Sequence, residues 1–205
     1  MSIVKLNNNG VKNATAFGSI TGLGSMTFIK KLTASSSSTL SFVDGSSDVV
    51  LDNTYKEYLF TFKDIHPATD NVTFNFNVSI DGGSNYNVAK TTTNFRTYHY
   101  EDASGAALDY RATADLAQGT GSQILTEGLG NANDECVVGV LRLFNLSSTT
   151  FVKHFISETN ATGRTEYTFN AYIAGYANTT SAVDAVQFSM SSGTFDGDIC
   201  LYGIA

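Results

Sequence analysis

The densest mixture of aromatic and ionisable side chains in the sequence is Arg96-Thr-Tyr-His-Tyr-Glu-Asp102. Tyr98, His99, Tyr100, Glu101 and Asp102 together have the chemistry to contact a sugar, with aromatic faces stacking on the ring and a few polar groups taking its hydroxyls. A strand end with mixed faces accounts for the same residues without any ligand. Two pairs, Asp44 with Asp48 and Asp196 with Asp198, offer the oxygen chemistry of calcium ligands. Neither follows the spacing of an EF-hand loop, so both read as solvated turns. The histidines are solitary: His66 precedes Pro67, the only proline, at an expected turn. His154 shares its parity with Val152 and Ile156, which predicts a hydrogen-bonded imidazole in the core.

Signatures of turnover are missing. The chain has no G-x-S-x-G elbow, no G-x-x-x-x-G-K-[ST] phosphate loop, no G-x-G-x-x-G, no H-E-x-x-H and no paired C-x-x-C. The expectation is a protein that is not an enzyme and uses no catalytic residue, cofactor or metal. Cys136 and Cys200 lie far apart in alternating apolar runs and are expected as buried free thiols. Asn-x-Ser/Thr sequons begin at Asn13, Asn71, Asn77, Asn145, Asn160 and Asn178, and they read as polar strand faces and turns.

The elements that must carry these residues announce themselves by alternation with period two. Residues 72–80 alternate without a fault, placing Val72, Phe74, Phe76, Val78 and Ile80 inward and hydroxyls or amides outward. In 55–65, Tyr58, Phe60 and Phe62 share one parity. Asp81-Gly82-Gly83-Ser84 predicts a tight hairpin, because paired glycines tolerate positive φ, and the chain is expected to return as a strand through 85–90. Further strands are expected at 28–32, 39–43, 93–100, 136–144, 151–159, 167–176, 185–190 and 198–204, with the run Ser35–Ser38 as a turn. Only 106–118, rich in Ala and Leu, resembles a helix. Strands without intervening helices predict an all-β, antiparallel β-sandwich, jelly-roll-like in topology. No internal repeat supports a propeller. Ser79-Ile-Asp81-Gly-Gly83-Ser-Asn-Tyr86 resembles the S-x-D-x-G-x-T-W box of sialidase-like propellers, but those proteins carry several boxes and this chain has one, so the motif marks a turn.

Composition bounds the function classes. The 205 residues are 42% apolar and 15% charged, which excludes a disordered polyelectrolyte and a coiled coil. Twelve basic residues against 19 acidic ones give a net charge of −7, unfavourable for binding nucleic acid. No run approaches the roughly 18 apolar residues of a spanning helix, so no membrane insertion is expected. No secretion signal is visible in the opening residues.

Residues 1–26 differ from the rest. They hold Lys5 and Lys12 and no acid, and their apolar residues Ile3, Val4, Leu6, Val11, Phe17, Ile20, Leu23 and Met26 follow neither a helical nor a strand period. The expected organisation is an extended N-terminal anchoring arm, 1–26, on a β-sandwich domain, 27–205, with the arm's apolar side chains docking on a surface supplied from elsewhere.

Four segments carry a family resemblance: Phe28-Ile-Lys-Lys-Leu-Thr-Ala34, Tyr55-Lys-Glu-Tyr-Leu-Phe-Thr-Phe62, the turn Ser79–Tyr86, and Gly197-Asp-Ile-Cys-Leu-Tyr-Gly-Ile204. Together they resemble β-rich virion proteins of tailed, particularly marine, bacteriophages over about residues 27–205. The resemblance implies a fibre, spike or capsid-decoration subunit that forms homo-oligomers, commonly trimers, on the particle. The expected partners are other copies of the chain and a major capsid or fibre protein, and in the adhesin alternative a host-surface glycan. The implied location is the virion surface, after assembly in the host cytoplasm, where reducing conditions fit the absence of a disulfide framework.

Overall fold

The computed structural model describes residues 26–205. The arm residues Ile3, Val4, Leu6, Val11, Phe17, Ile20 and Leu23 therefore lie outside the described part, and only Met26 of the arm is seen, opening the first strand. The strands, in chain order, are β1 (Met26–Ser37), β2 (Thr39–Val43), β3 (Glu57–Pro67), β4 (Val72–Ser79), β5 (Lys90–Tyr100), β6 (Ala106–Tyr110), β7 (Gln123–Leu129), β8 (Val137–Phe144), β9 (Lys153–Gly163), β10 (Tyr167–Ala177), β11 (Ala185–Met190) and β12 (Phe195–Ile204). The described residues contain no helix.

Eight of these strands are one long antiparallel hairpin rolled up. Its nested rungs are β1 with β12, β2 with β11, β3 with β8, and β4 with β7. Rolling brings β12 beside β3 and β11 beside β4, which produces two sheets ordered β1-β12-β3-β8 and β2-β11-β4-β7. This is a jelly roll, as the sequence predicted. The other four strands, β9-β10-β5-β6, continue the first sheet beyond β8. The two sheets meet along one seam, where Leu129 of β7 pairs with Gly163 of β9.

Phenylalanines hold the roll together. Phe60 and Phe62 of β3 and Phe195 of β12 face Phe42 of β2, Phe74 of β4 and Phe188 of β11, all essentially without solvent exposure. Phe188 sits at the hub, with ring centroids 5.2 Å from Phe60, 5.3 Å from Phe62, 6.0 Å from Phe74 and 6.2 Å from Phe42. Most of these contacts are edge-to-face, the geometry the ring quadrupoles favour. Burying each such side chain stabilises by about 1.5–3 kcal/mol.

Several expectations are corrected. Residues 106–118 are not helical: 106–110 form β6, whose Ala106 and Tyr110 pair with His99 and Phe95, and turns follow. Helix propensity is worth only tenths of a kcal/mol per residue, and a turn at 101–105 folds the segment back onto β5. The Asp81–Ser84 turn forms, with φ of +68° at Gly82 and +79° at Gly83, but it is not a hairpin. Both flanks of β4 are already occupied by β7 and β11, so 85–89 cross over without pairing and the chain joins the other sheet at Lys90. Asp81 locks that crossover, accepting from Ser79 Oγ at 2.7 Å and from the Asn85 amide at 2.8 Å. Strand β7 escaped the sequence reading altogether. The serine run mostly continues β1, with only Ser38 at the corner into β2.

On β9 the parity is the reverse of that expected. Lys153, Phe155, Ser157, Thr159 and Ala161 point inward, while His154 and Ile156 are exposed. Lys153 can be buried because its stem packs inward and its Nζ donates to the carbonyls of Phe151 (2.8 Å) and Thr179 (3.3 Å). Ile80, expected inward, is exposed at the strand's end. Cys136 and Cys200 are free but only half-buried, and partial burial raises the Cys136 thiol pKa.

Candidate ligand-binding cleft

The inner side of the added strands mixes buried polar groups with its apolar residues Phe155, Phe169, Ala171 and Ile173, unlike the phenylalanine roll. Lys90 is fully buried without a carboxylate, and its Nζ donates to Asn77 Oδ1 at 2.6 Å and to the Val88 carbonyl at 2.8 Å. Burial pushes its pKa down to about 8. Asn77 is itself buried and donates to the Tyr86 carbonyl at 2.6 Å, so its sequon belongs to the interior. Next along β5, Thr92 Oγ1 donates to Gln123 Oε1 at 2.7 Å and accepts from the Leu116 amide at 2.8 Å. Thr159 Oγ1 donates to the Leu125 carbonyl at 2.9 Å. These buried groups, Lys90, Asn77, Thr92 and Thr159, each find a partner and so avoid a desolvation cost of about 1–3 kcal/mol.

Further along β5 this polar layer opens to solvent as a cleft of about 430 Å³. Arg96, Tyr98 and Tyr100 enter it from alternate positions of β5, Glu127 from β7, and Arg164 and Tyr167 from the turn into β10 and its first residue. Arg111, just after β6, completes the wall, and Asn71, Thr73 and Thr165 form the rim. An ionic chain holds the wall. Arg96 Nε lies 3.3 Å from Asp109 Oδ1, Arg111 Nη1 lies 3.0 Å from Asp109 Oδ2, and Arg111 Nε lies 2.8 Å from Glu127 Oε2. The hydrogen bond to Glu127 is the main reason that the Arg111 pKa lies above its ordinary value.

Tyrosines line the other side. Tyr100 and Tyr167 have ring centroids 5.3 Å apart, Tyr98 and Tyr100 5.7 Å, and the Arg96 guanidinium lies 5.4 Å from the Tyr98 ring centre. Tyr167 fits only because two neighbours lack side chains. A Cβ on Gly163 would fall 2.3 Å from its ring, and Gly128, at φ +63°, faces its hydroxyl. Burial raises the Tyr167 pKa, opposed by the charge of Arg96.

Of the five residues proposed from the sequence, alternation along β5 delivers Tyr98 and Tyr100 to the cleft and turns His99 outward, to the opposite face of the sheet. Glu101 and Asp102 lie in the exposed turn before β6, where Asp102 accepts the Ser104 amide at 2.8 Å. Arg111, Glu127, Arg164 and Tyr167 were missed. The available signal was compositional: the sequence has only four arginines, and three of them are here.

Elsewhere the candidate groups are structural. Asp44 Oδ1 accepts the Leu51 amide at 2.8 Å, Asp196 Oδ1 accepts the Ser36 amide at 2.7 Å, and Asp198 binds Lys31 and Thr33. His66 Nε2 lies 3.0 Å from the Ala132 carbonyl, near the end of β3. Among the described residues no three His, Cys, Asp or Glu side chains converge as a metal site, and no helix is long and apolar enough to cross a membrane.

No protein-family model matches the chain, and neither a curated protein nor a solved structure matches it significantly.

Proposed function

We propose that the protein is a non-enzymatic structural subunit of a tailed-phage virion, a capsid-decoration or short-fibre protein that works as a homo-oligomer docked through its N-terminal arm. The observation that supports this most is the outer face of the four added strands. Its outward positions hold Thr91, Thr93, Phe95, Thr97 and His99 on β5, opposite Tyr176, Ala174, Tyr172, Asn170 and Thr168 on β10. His154, Ile156, Glu158 and Asn160 of β9 continue it on one side, and Leu108 and Tyr110 of β6 on the other. Glu158 is the one formally charged residue among them.

A second copy of the chain is the occupant this face suits. Copies that carry a net charge of −7 repel one another in most orientations. Contact through a nearly uncharged sheet face escapes that repulsion while covering Leu108, Tyr110 and Ile156, each more than half exposed. The phage setting rests on the sequence resemblance, and jelly rolls are a recurrent architecture of capsid proteins. The trimer number rests on the resemblance alone.

Two measurements test the reading. Sedimentation velocity of the full chain is expected to show an oligomer that Ile156→Glu reduces to monomer, and a monomeric parent chain would overturn self-association. Mass spectrometry of purified particles is expected to find the protein at tens of copies or more, and absence from the particle would overturn the virion role. Deleting residues 1–26 is expected to leave a folded body that no longer incorporates into particles.

The cleft favours a second reading, that of a glycan-binding adhesin of a phage fibre. Aromatic walls with a few convergent polar groups are the recurrent chemistry of sugar sites.

A further inference from the structure

We propose that the cleft selects an acidic saccharide, with a carboxylate or sulfate of the sugar received by Arg164 and by the free N–H groups of Arg96 and Arg111, and a ring face resting on Tyr100. This rests on the glycan-binding reading and names its ligand class.

The argument begins with supply and demand of hydrogen bonds. A guanidinium offers five N–H donors and no acceptor. Arg96 commits one nitrogen to Asp109 and also reaches the Tyr167 hydroxyl, and Arg111 commits two nitrogens, to Asp109 and Glu127. Arg164 has its nearest carboxylate oxygen, of Asp70, at 4.0 Å, beyond hydrogen-bonding distance. On the acceptor side, Glu127 is the only carboxylate in the cleft wall, and its two oxygens already receive Arg111 and Thr113. The cleft thus sets three guanidiniums against one lining carboxylate, its other acceptors being neutral tyrosine, threonine and asparagine oxygens. A neutral sugar hydroxyl can accept from these donors but brings no charge to the cations, whereas a carboxylate or sulfate only accepts and pairs with guanidinium in a planar, bidentate manner.

Charge distribution points the same way. In a chain with a clear excess of acid, three of four arginines, from positions far apart in sequence, converge on one opening. Packing does not require it, because Arg164 is nearly half exposed and anchors nothing at close range. A nucleic acid also offers acceptors and stackable rings, but its continuous phosphate backbone would run past the acidic body beyond the cleft, which favours a ligand with isolated acid groups.

The test is a glycan array probed with the full chain, followed by titration calorimetry against polyuronate oligosaccharides, sulfated oligosaccharides and carboxyl-reduced counterparts of the former. Binding is expected to at least one acidic class, to weaken at least tenfold on carboxyl reduction or desulfation, and to fall with added salt. The two acidic arms identify which anion is read. Arg164→Gln is expected to weaken binding about tenfold with an unchanged melting temperature, because Arg164 makes no close ion pair. Equal binding of neutral and acidic glycans, lost in Tyr100→Ala, would overturn the acidic specificity and keep the glycan-binding reading. Binding to no glycan would overturn both. Competition by short single-stranded DNA at equal strength would overturn the saccharide in favour of a general polyanion.

Discussion

The jelly roll and the four strands added to it use the same period-two alternation to build different interiors, one almost wholly apolar and the other a mixture of apolar and polar side chains. Inside the roll, inward positions of β3, β4, β11 and β12 carry phenylalanines clustered at Phe188 and its neighbour Phe74, mostly edge to face. Under the added strands, inward positions mix Phe155, Phe169, Ala171 and Ile173 with Lys90, Thr92, Asn94, Ser157 and Thr159, all buried. The first interior is held by area removed from water, which is non-directional and tolerates small shifts. The second adds to such burial a set of hydrogen bonds with defined partners, which specify geometry and can be extended outward into a recognition surface. The cleft is where that polar layer reaches solvent.

The largest effect that separates the two regions should come from Phe188→Ala. It removes a ring that touches four others and should cost about 3–5 kcal/mol, read as a large drop in the denaturant midpoint. A loss under 1 kcal/mol would mean that the hub is not where stability resides.

Lys90 tests the polar region next, through pH. Its folded pKa, pushed down to about 8 by burial, lies below the ordinary lysine value of 10.5. Below pH 8 both folded and unfolded chains hold the proton. Between about 8 and 10.5 the unfolded chain holds it more tightly, so stability should rise with pH by at most about 1.4 kcal/mol per unit. Thermal melts from pH 7 to 10 should show this rise in the parent chain and lose it in Lys90→Met. A parent chain that loses stability steadily over that range would contradict the buried lysine.

Glu127→Gln is expected to do less. Glu127 is partly exposed, so removing its charge from Arg111 should cost about 1 kcal/mol after solvent screening. The change would show in ligand affinity before it shows in melting.

Asp198 should show the smallest effect, since it belongs to neither interior. Its carboxyl is held below the ordinary range first by the Thr33 hydroxyl and then by Lys31. A titration followed by NMR should find that Thr33→Val raises its pKa more than Lys31→Ala does, with no resolvable change in melting. The reverse order would make the ion pair the stronger partner.

The contrast also explains which elements were legible. Tyr58, Phe60 and Phe62, and Val72, Phe74, Phe76 and Val78, were placed inward correctly because β3 and β4 each bury an unbroken apolar parity over these positions. His154 was misplaced because β9 buries the parity of Lys153, Ser157 and Thr159, and a buried lysine satisfied by carbonyls looks like a surface residue in sequence. Strand β7 was unread for the same reason: Gln123 and Thr126 are buried by their hydrogen bonds to Ala114, Ile124 and Thr159. The five-residue cluster around His99 split because neighbours along a strand face opposite sides.

By itself the sequence determined that this chain is all-β, that its strands are antiparallel, and that a phenylalanine-rich layer forms its core, since apolar periodicity is a local property that burial obliges the chain to obey. Only the tertiary structure decided the rest. It set the nested pairing that rolls β1–β4 against β7, β8, β11 and β12, the partners that let Lys90 and Lys153 be buried, and the meeting of Arg96, Arg111, Arg164 and Tyr167 in one cleft. Those outcomes depend on contacts between residues distant in the chain, where a hydrogen bond or ion pair forms only after strand order and register have brought its two ends together.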